Sequence, residues 1–137
     1  MHLFEGEFAK YRSGYARVLI EFETDSKSTL VEIDLDKNDQ WNKQLFEGNF
    51  NNWLEGAIYG AKFGLEIADI SNVHIKIKRI VGQIVDTNST TIAAATANAV
   101  WKAVSFEPSD SLTNHIEEIV AKSGIEQELV KFDYGKD

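Results

Sequence analysis

Three groups of residues in this chain have the types and spacing to do chemistry. Asp34-x-Asp36-x-Asn38 places oxygen ligands at alternate positions, as the start of a calcium-wrapping loop does. The pattern then fails, because Asp39 stands at the sixth position, where glycine is needed, and Leu45 at the twelfth, where glutamate is needed. The expected role of these residues is a strand end followed by helix-capping polar groups. The second group is a basic strip. His74, Lys76 and Lys78 share one face of an alternating run, and Arg79 follows. Such a strip on an acidic chain could meet RNA phosphate or an acidic partner. The plainer expectation is the solvated outer face of a sheet. The third group is aromatic: Trp41, Phe46, Phe50 and Trp53. Phe50 and Trp53 fall on an apolar stripe, so Trp41 and Phe46 are the first candidates for a contact surface.

Nothing in the sequence singles out a catalyst. The three histidines, His2, His74 and His115, lack a ligand-like spacing such as HExxH, and no GxSxG elbow presents a nucleophile. With no cysteine, disulfides, thiolate metal sites and cysteine nucleophiles are excluded. No catalytic residue, cofactor or metal ligand is therefore expected.

The elements that must position these groups follow from periodicity. Phe4 to Phe8 alternates with acidic residues, Ser13-Gly14 offers a turn, Tyr15 to Phe22 runs on, and Leu30 to Leu35 makes a third strand. Phe50, Trp53, Leu54, Ala57, Ile58, Ala61 and Leu65 recur at helical spacing. Gly56, Gly60 and Gly64 lie four apart beside them, each costing about 1 kcal/mol relative to alanine in a helix. They imply close approach to a neighbouring backbone, with termination an alternative for Gly64. Val73 to Lys78 is a strand, and Gly82 in the continuing run suggests a bulge or bend. A second helix spans about Ser89 to Ser105, with Ile92, Ala95, Ala99, Ala103 and Phe106 along one side and Asp86 to Ser89 offering N-caps. Pro108 stops it. Ser109 or Asp110 caps a third helix, which closes on a Schellman-type Gly124-Ile125 ending. From Glu126 the tail adds a short strand or stays loose. The expected fold class is α+β, with one antiparallel or mixed four-stranded sheet and two to three helices on one face. Residues 1–107 form the domain, and 108–137 are a C-terminal helical extension packed on it.

Composition bounds the rest. At 137 residues, with 43% hydrophobic content and one proline, the chain has enough for a single core. The net charge of −8 argues against a dedicated nucleic-acid binder. No apolar stretch approaches the roughly 20 residues of a membrane span. No signal-peptide pattern opens the chain, so a cytoplasmic location is expected.

Val85-Asp86-Thr87-Asn88 followed by Ala95, Ala99 and Ala103, the helix Leu54-Glu55-Gly56-Ala57-Ile58, and Gly14 to Ile20 together resemble domain IV of translocation factors, the elongation factor G family. The resemblance covers residues 12–105. It implies the ribosomal protein S5 domain 2-like fold with a left-handed βαβ crossover, and two tip loops that reach into the ribosome. In the family a tip histidine stands where this chain has Gln83, and the first tip loop is here reduced to Tyr11-Arg12-Ser13-Gly14. No GxxxxGK[ST] nucleotide site is present. The expected function is a non-catalytic binding module for another protein, of the inhibitor or immunity type. The alternative is a ribosome- or RNA-associated accessory factor, for which Arg12, Arg17 and the strip 76–79 would form one patch. A second copy of the chain is a further candidate partner, and a membrane is not.

Overall fold

The computed structural model describes residues 2–10, 14–47, 50–83, 85–124, 126 and 128–134. Three strands open the chain: β1 (His2–Lys10), β2 (Gly14–Glu23) and β3 (Leu30–Ile33). Helices α1 (Gln40–Glu47) and α2 (Asn51–Ala68) lead to β4 (His74–Gly82), and α3 (Ser89–Ala103) and α4 (Asp110–Ser123) follow. The sheet order is β1-β2-β4-β3. β2 pairs antiparallel with β1 and β4, whereas β3 pairs parallel with β4, so α1 and α2 form the crossover between parallel neighbours.

Alternation decides which face of the sheet is covered. Ala16, Val18, Ile20 and Phe22 of β2 and Ile75, Ile77 and Ile80 of β4 are buried on the inner face. There α3 lies against β1 and β2 while α2 packs beside it. α4 closes over α3 through Leu112, Ile116 and Val120, which join the same core. This makes α3 the central helix, buried on nearly all sides instead of along one stripe. Its small side chains allow that, since alanine keeps helix propensity while occupying little volume.

The glycine spacing does bring backbones together. A Cβ on Gly56 would lie 2.2 Å from Ser89 O, and one on Gly60 2.2 Å from Ala93 O. Gly64 terminates nothing; α2 runs on to Ala68 and ends on Asp69 in the left-handed conformation. On the other side of α3, a Cβ on Gly6 would lie 2.2 Å from Ala95 O. From α3, Asn98 Nδ2 and Lys102 Nζ donate to the carbonyls of Glu7 and Glu5, two alternate positions of the edge strand β1.

Several sequence expectations need correction. Besides α2, α3 and α4, the described residues hold a short helix that was not expected, α1, which carries too few periodic apolar positions to be read from sequence. The sheet irregularity falls at Lys78 and not at Gly82: Leu19 pairs with Arg79 and Ile20 with Ile77, so Lys78 is the extra residue. α3 stops ahead of Pro108 because Ser105 turns to positive φ and Phe106 N bonds back to Trp101 O. At the end of α4, Gly124 has φ 53° and ψ −122°, which is outside the Schellman geometry, and Ile125 lies outside the described residues. Among its described residues the tail pairs in no strand and packs on the core. Phe132 is fully buried against Tyr59 and Phe63. Its N–H donates to Tyr59 Oη at 2.9 Å, and its carbonyl accepts from His115 Nε2. As expected, Asn88 caps α3 through Thr91 N, and Ser109 caps α4 through Leu112 N.

Candidate functional site

The bulge in β4 and the early end of β3 set the geometry of the outer face. β3 stops at Ile33, leaving the Lys78 carbonyl and the Ile80 N–H without a neighbouring strand for full pairing. Asn42 of α1 fills the gap. Its Nδ2 donates to Lys78 O at 2.8 Å and Asp36 O at 3.0 Å, and its Oδ1 accepts from Ile80 N at 3.1 Å. The side chain is fully buried, with both ends of its amide bonded. Asp39 caps the start of α1, accepting from Trp41 N and Asn42 N, and holds Arg79 Nε at 2.6 Å through its other oxygen.

With α1 docked this way, the basic strip meets carboxylates all along its length. His74 Nε2 contacts Glu32 at 2.7 Å, Lys76 contacts the buried Glu21 at 3.7 Å, and Lys78 contacts Asp34 at 2.7 Å. Arg79 is held by Asp39 as above, and Arg17 on β2 reaches Glu5 at 3.8 Å. The hydrogen bond from Lys78 holds the Asp34 carboxyl below its ordinary value, and the same bond holds Lys78 above its own. At Asp39 burial pushes upward, but the Arg79 bond and the two backbone N–H groups outweigh it, and the carboxyl is lowered. Asp34, Asp36 and Asp39 are thus engaged with Lys78, Asn38 N and the start of α1 respectively, instead of converging on a common centre.

The remaining candidates separate. Phe46 stands 56% exposed on α1. Trp41, half-buried, lines a pocket of about 290 Å³ with Leu45, Phe50, Trp53, Ile80 and the rim residue Glu47. Gln83 is exposed at the far end of β4, where the following loop is tied to the start of β2. Tyr15 N donates to Asp86 O at 2.9 Å, and Thr87 Oγ1 donates to Tyr15 O at 2.5 Å while accepting from Gln83 N. Val85, 92% exposed, projects from this loop. Arg12, Tyr11 and Ser13 lie outside the described residues. At the opposite end of the sheet, Thr24, Asp25, Ser26 and Asn72 rim an open bowl of about 620 Å³. Sequence reasoning missed Asn42, since a lone polar residue carries no periodic signal of burial, and it offered Thr87 as an N-cap candidate, whereas its hydroxyl ties Gln83 N to Tyr15 O. Among the described residues no helix is long and apolar enough to cross a membrane, and no three His, Asp or Glu side chains are grouped to hold a metal ion.

No family model matches the chain, and no curated protein matches it. Solved structures do. The Methanococcus jannaschii mevalonate kinase aligns over 93% of this chain and 48% of its own, at 17% identity and a TM-score of 0.50. Another mevalonate kinase aligns over 94% of this chain and 48% of its own, at 16% identity and a TM-score of 0.47. A protein of Thermus thermophilus aligns over 74% of this chain and 16% of its own, at 16% identity and a TM-score of 0.47. The chain therefore spans about half the length of the kinases it resembles. What it shares with the Methanococcus jannaschii enzyme is architecture alone: an α+β fold of the ribosomal protein S5 domain 2-like kind, with a four-stranded mixed sheet.

Proposed function

We propose that this protein is a non-catalytic binding module whose partner is a basic protein, in the manner of an inhibitor or immunity protein. One observation carries the reading: His74, Lys76, Lys78 and Arg79 are each held by a carboxylate of the same face. The strip therefore presents no excess of positive charge, and the surplus of −8 is left to steer association toward cations. The exposed Phe46 supplies an apolar anchor of the kind found in protein interfaces.

A second reading, a ribosome- or RNA-associated factor, draws on the resemblance of residues 12–105 to domain IV of translocation factors. The loop at 83–88 and the start of β2 are tied together at one tip, which carries Gln83 and Val85. Affinity capture of the tagged protein from its native cells, washed with rising salt, separates the two. A single basic protein in stoichiometric amount that resists salt is the expected result. Ribosomal RNA with ribosomal proteins, released as salt rises, would transfer the assignment to the second reading. Recovery of neither would sink both.

A further inference from the structure

The tail that follows α4 is held as a bound peptide would be. Its residues 128–134 belong to no helix or strand, and Phe132 is fully buried between the exposed Lys131 and Asp133. Among the described residues, none of the tail's backbone groups pairs with the backbone of a helix or strand. Side chains of three helices take that place. Val130 N donates to Thr90 Oγ1 of α3 at 3.0 Å, and Phe132 N donates to Tyr59 Oη of α2 at 2.9 Å. His115 Nε2 of α4 donates to the Phe132 carbonyl.

The receiving surface is aromatic where the anchor enters. Tyr59 and Phe63 stand one turn apart on α2 with ring centroids 6.0 Å apart, and Trp101 of α3 lies 6.3 Å from Phe63. The ring of Phe132 sits 5.7 Å from Tyr59 and 5.0 Å from Phe63, edge-on to the latter. Tyr59 thus offers its ring to the anchor and its hydroxyl to the anchor's own N–H. Main-chain hydrogen bonds around a pocketed side chain are how proteins read linear peptides.

The fit is close at Phe132 and loose beside it. Between the tail and α2 a pocket of about 210 Å³ stays open, lined by Lys62 and Glu66 of α2 and by Lys131 and Asp133 of the tail. Against α3, by contrast, α2 leaves no room for a carbon, since a Cβ on Gly60 would lie 2.2 Å from Ala93 O. A permanent part of the core is packed in that second way. The tail is packed as an occupant that a better-filling segment can displace.

We propose that 128–134 is an autoinhibitory strap, which fills in cis a peptide-binding groove formed by α2, α3 and α4 and yields it to a partner's linear segment carrying an aromatic anchor. The groove is separate from the outer sheet face and its ion pairs, so the two proposals stand or fall independently.

The probe is a fluorescently labelled peptide of the strap's own sequence, Glu-Leu-Val-Lys-Phe-Asp-Tyr, titrated into the whole chain by anisotropy. Phe132→Ala, which withdraws the anchor, is expected to bind it at least about tenfold more tightly than the unaltered protein, where the strap competes. A peptide with alanine in place of its phenylalanine should not bind. Tyr59→Phe in the Phe132→Ala background should weaken binding severalfold, because the main-chain N–H loses its acceptor. Hydrogen exchange in the unaltered protein reads the opening without any variant. The amides of Val130 and Phe132 are expected to exchange at least about tenfold faster than that of Val100 in α3. If Phe132→Ala does not fold, the exchange result decides alone. A common exchange rate for strap and α3, equal peptide affinity in the two proteins, or binding that tolerates loss of the peptide's phenylalanine would each overturn the proposal. So would a dimer of the unaltered protein that Phe132→Ala abolishes, because the tail would then be exchanged between copies.

Discussion

The two faces of the sheet are held by opposite means. On the inner face the decisive atoms are those left out. Gly6, Gly56 and Gly60 bring β1 and α2 against the backbone of α3, with no room for even one carbon. On the outer face nothing is left out. Long charged side chains stand in rows, each answered by a carboxylate from a neighbouring strand or loop. The inner face is intolerant of added volume, whereas the outer face, its ion pairs partly solvated, absorbs the loss of a single charge. A perturbation should therefore register on one face and be absorbed by the other.

The sharpest way to break this contrast is to add volume inside. Gly60→Leu is expected to destabilise by about 3 kcal/mol, because its Cβ meets a backbone carbonyl that no rotamer can move. Ala99→Leu, at a fully buried position, should cost about 1–3 kcal/mol. Urea midpoints for the two variants check both values, and unchanged midpoints would refute the backbone contact. Gly64→Ala is the internal control. Its Cβ would meet the Val100 side chain at 3.2 Å, and the helix-propensity gain of about 1 kcal/mol offsets that crowding, so stability should change little.

Asn42→Leu comes next, at about 2–3 kcal/mol. It leaves the Ile80 N–H buried without its partner and the Lys78 carbonyl with only the longer bond from Asp36 N at 3.3 Å. It also tests whether the outer face depends on α1, since Asp39 would lose its station beside Arg79. Asp39→Ala, which removes the cap of α1 and the Arg79 partner, is expected to cost about 1 kcal/mol by the same urea measurement.

Titration sharpens the comparison further. Asp34 and Asp39 are lowered from 3.8, so their stabilisation is complete above that value and is lost as pH falls through the lower native values. Lys78 is raised from 10.5, so its share is complete below 10.5 and is lost only as pH climbs through the raised native value. Between those limits these three groups contribute a flat stability. Asp39→Asn should reduce the loss on the acid side, which urea midpoints measured across the acid range would show. A loss as steep as in the unaltered protein would remove Asp39 from the account. The smallest effect belongs to Lys78→Met, whose partner Asp34 is solvated. Its midpoint at neutral pH should match that of the parent within error.

What could be read in the sequence divides along the same line. Helical spacing located α2 and its glycines, because close packing leaves a periodic trace in residue size. The alternation of β4 was equally legible. The pairing of its cations was not: Lys78 with Asp34 and Arg79 with Asp39 join residues some 40 positions apart, and no local pattern marks them. Asn42 escaped for the same reason, as its three partners come from two other segments. The tail from Glu126 offered only a short strand or a loose end, because its anchors, Leu129, Phe132 and Tyr134, follow no single period and meet residues far back in the chain. The aromatic pocket was half legible. Its residues stood out as a cluster, but the division between lining Trp41 and outlying Phe46 needed the orientation of α1.

The reach of Asn98 and Lys102 over β1 has a consequence for crowded conditions. A long outer strand is a template on which a second chain can grow, and runaway growth of that kind ends in fibres. Here two of its carbonyls are already spoken for by side chains of α3. At the opposite margin, β3 is only four residues long and Asn42 completes the row beyond it. Self-association through continuous strand addition is thereby discouraged at both margins, and a second copy would have to meet this protein face to face.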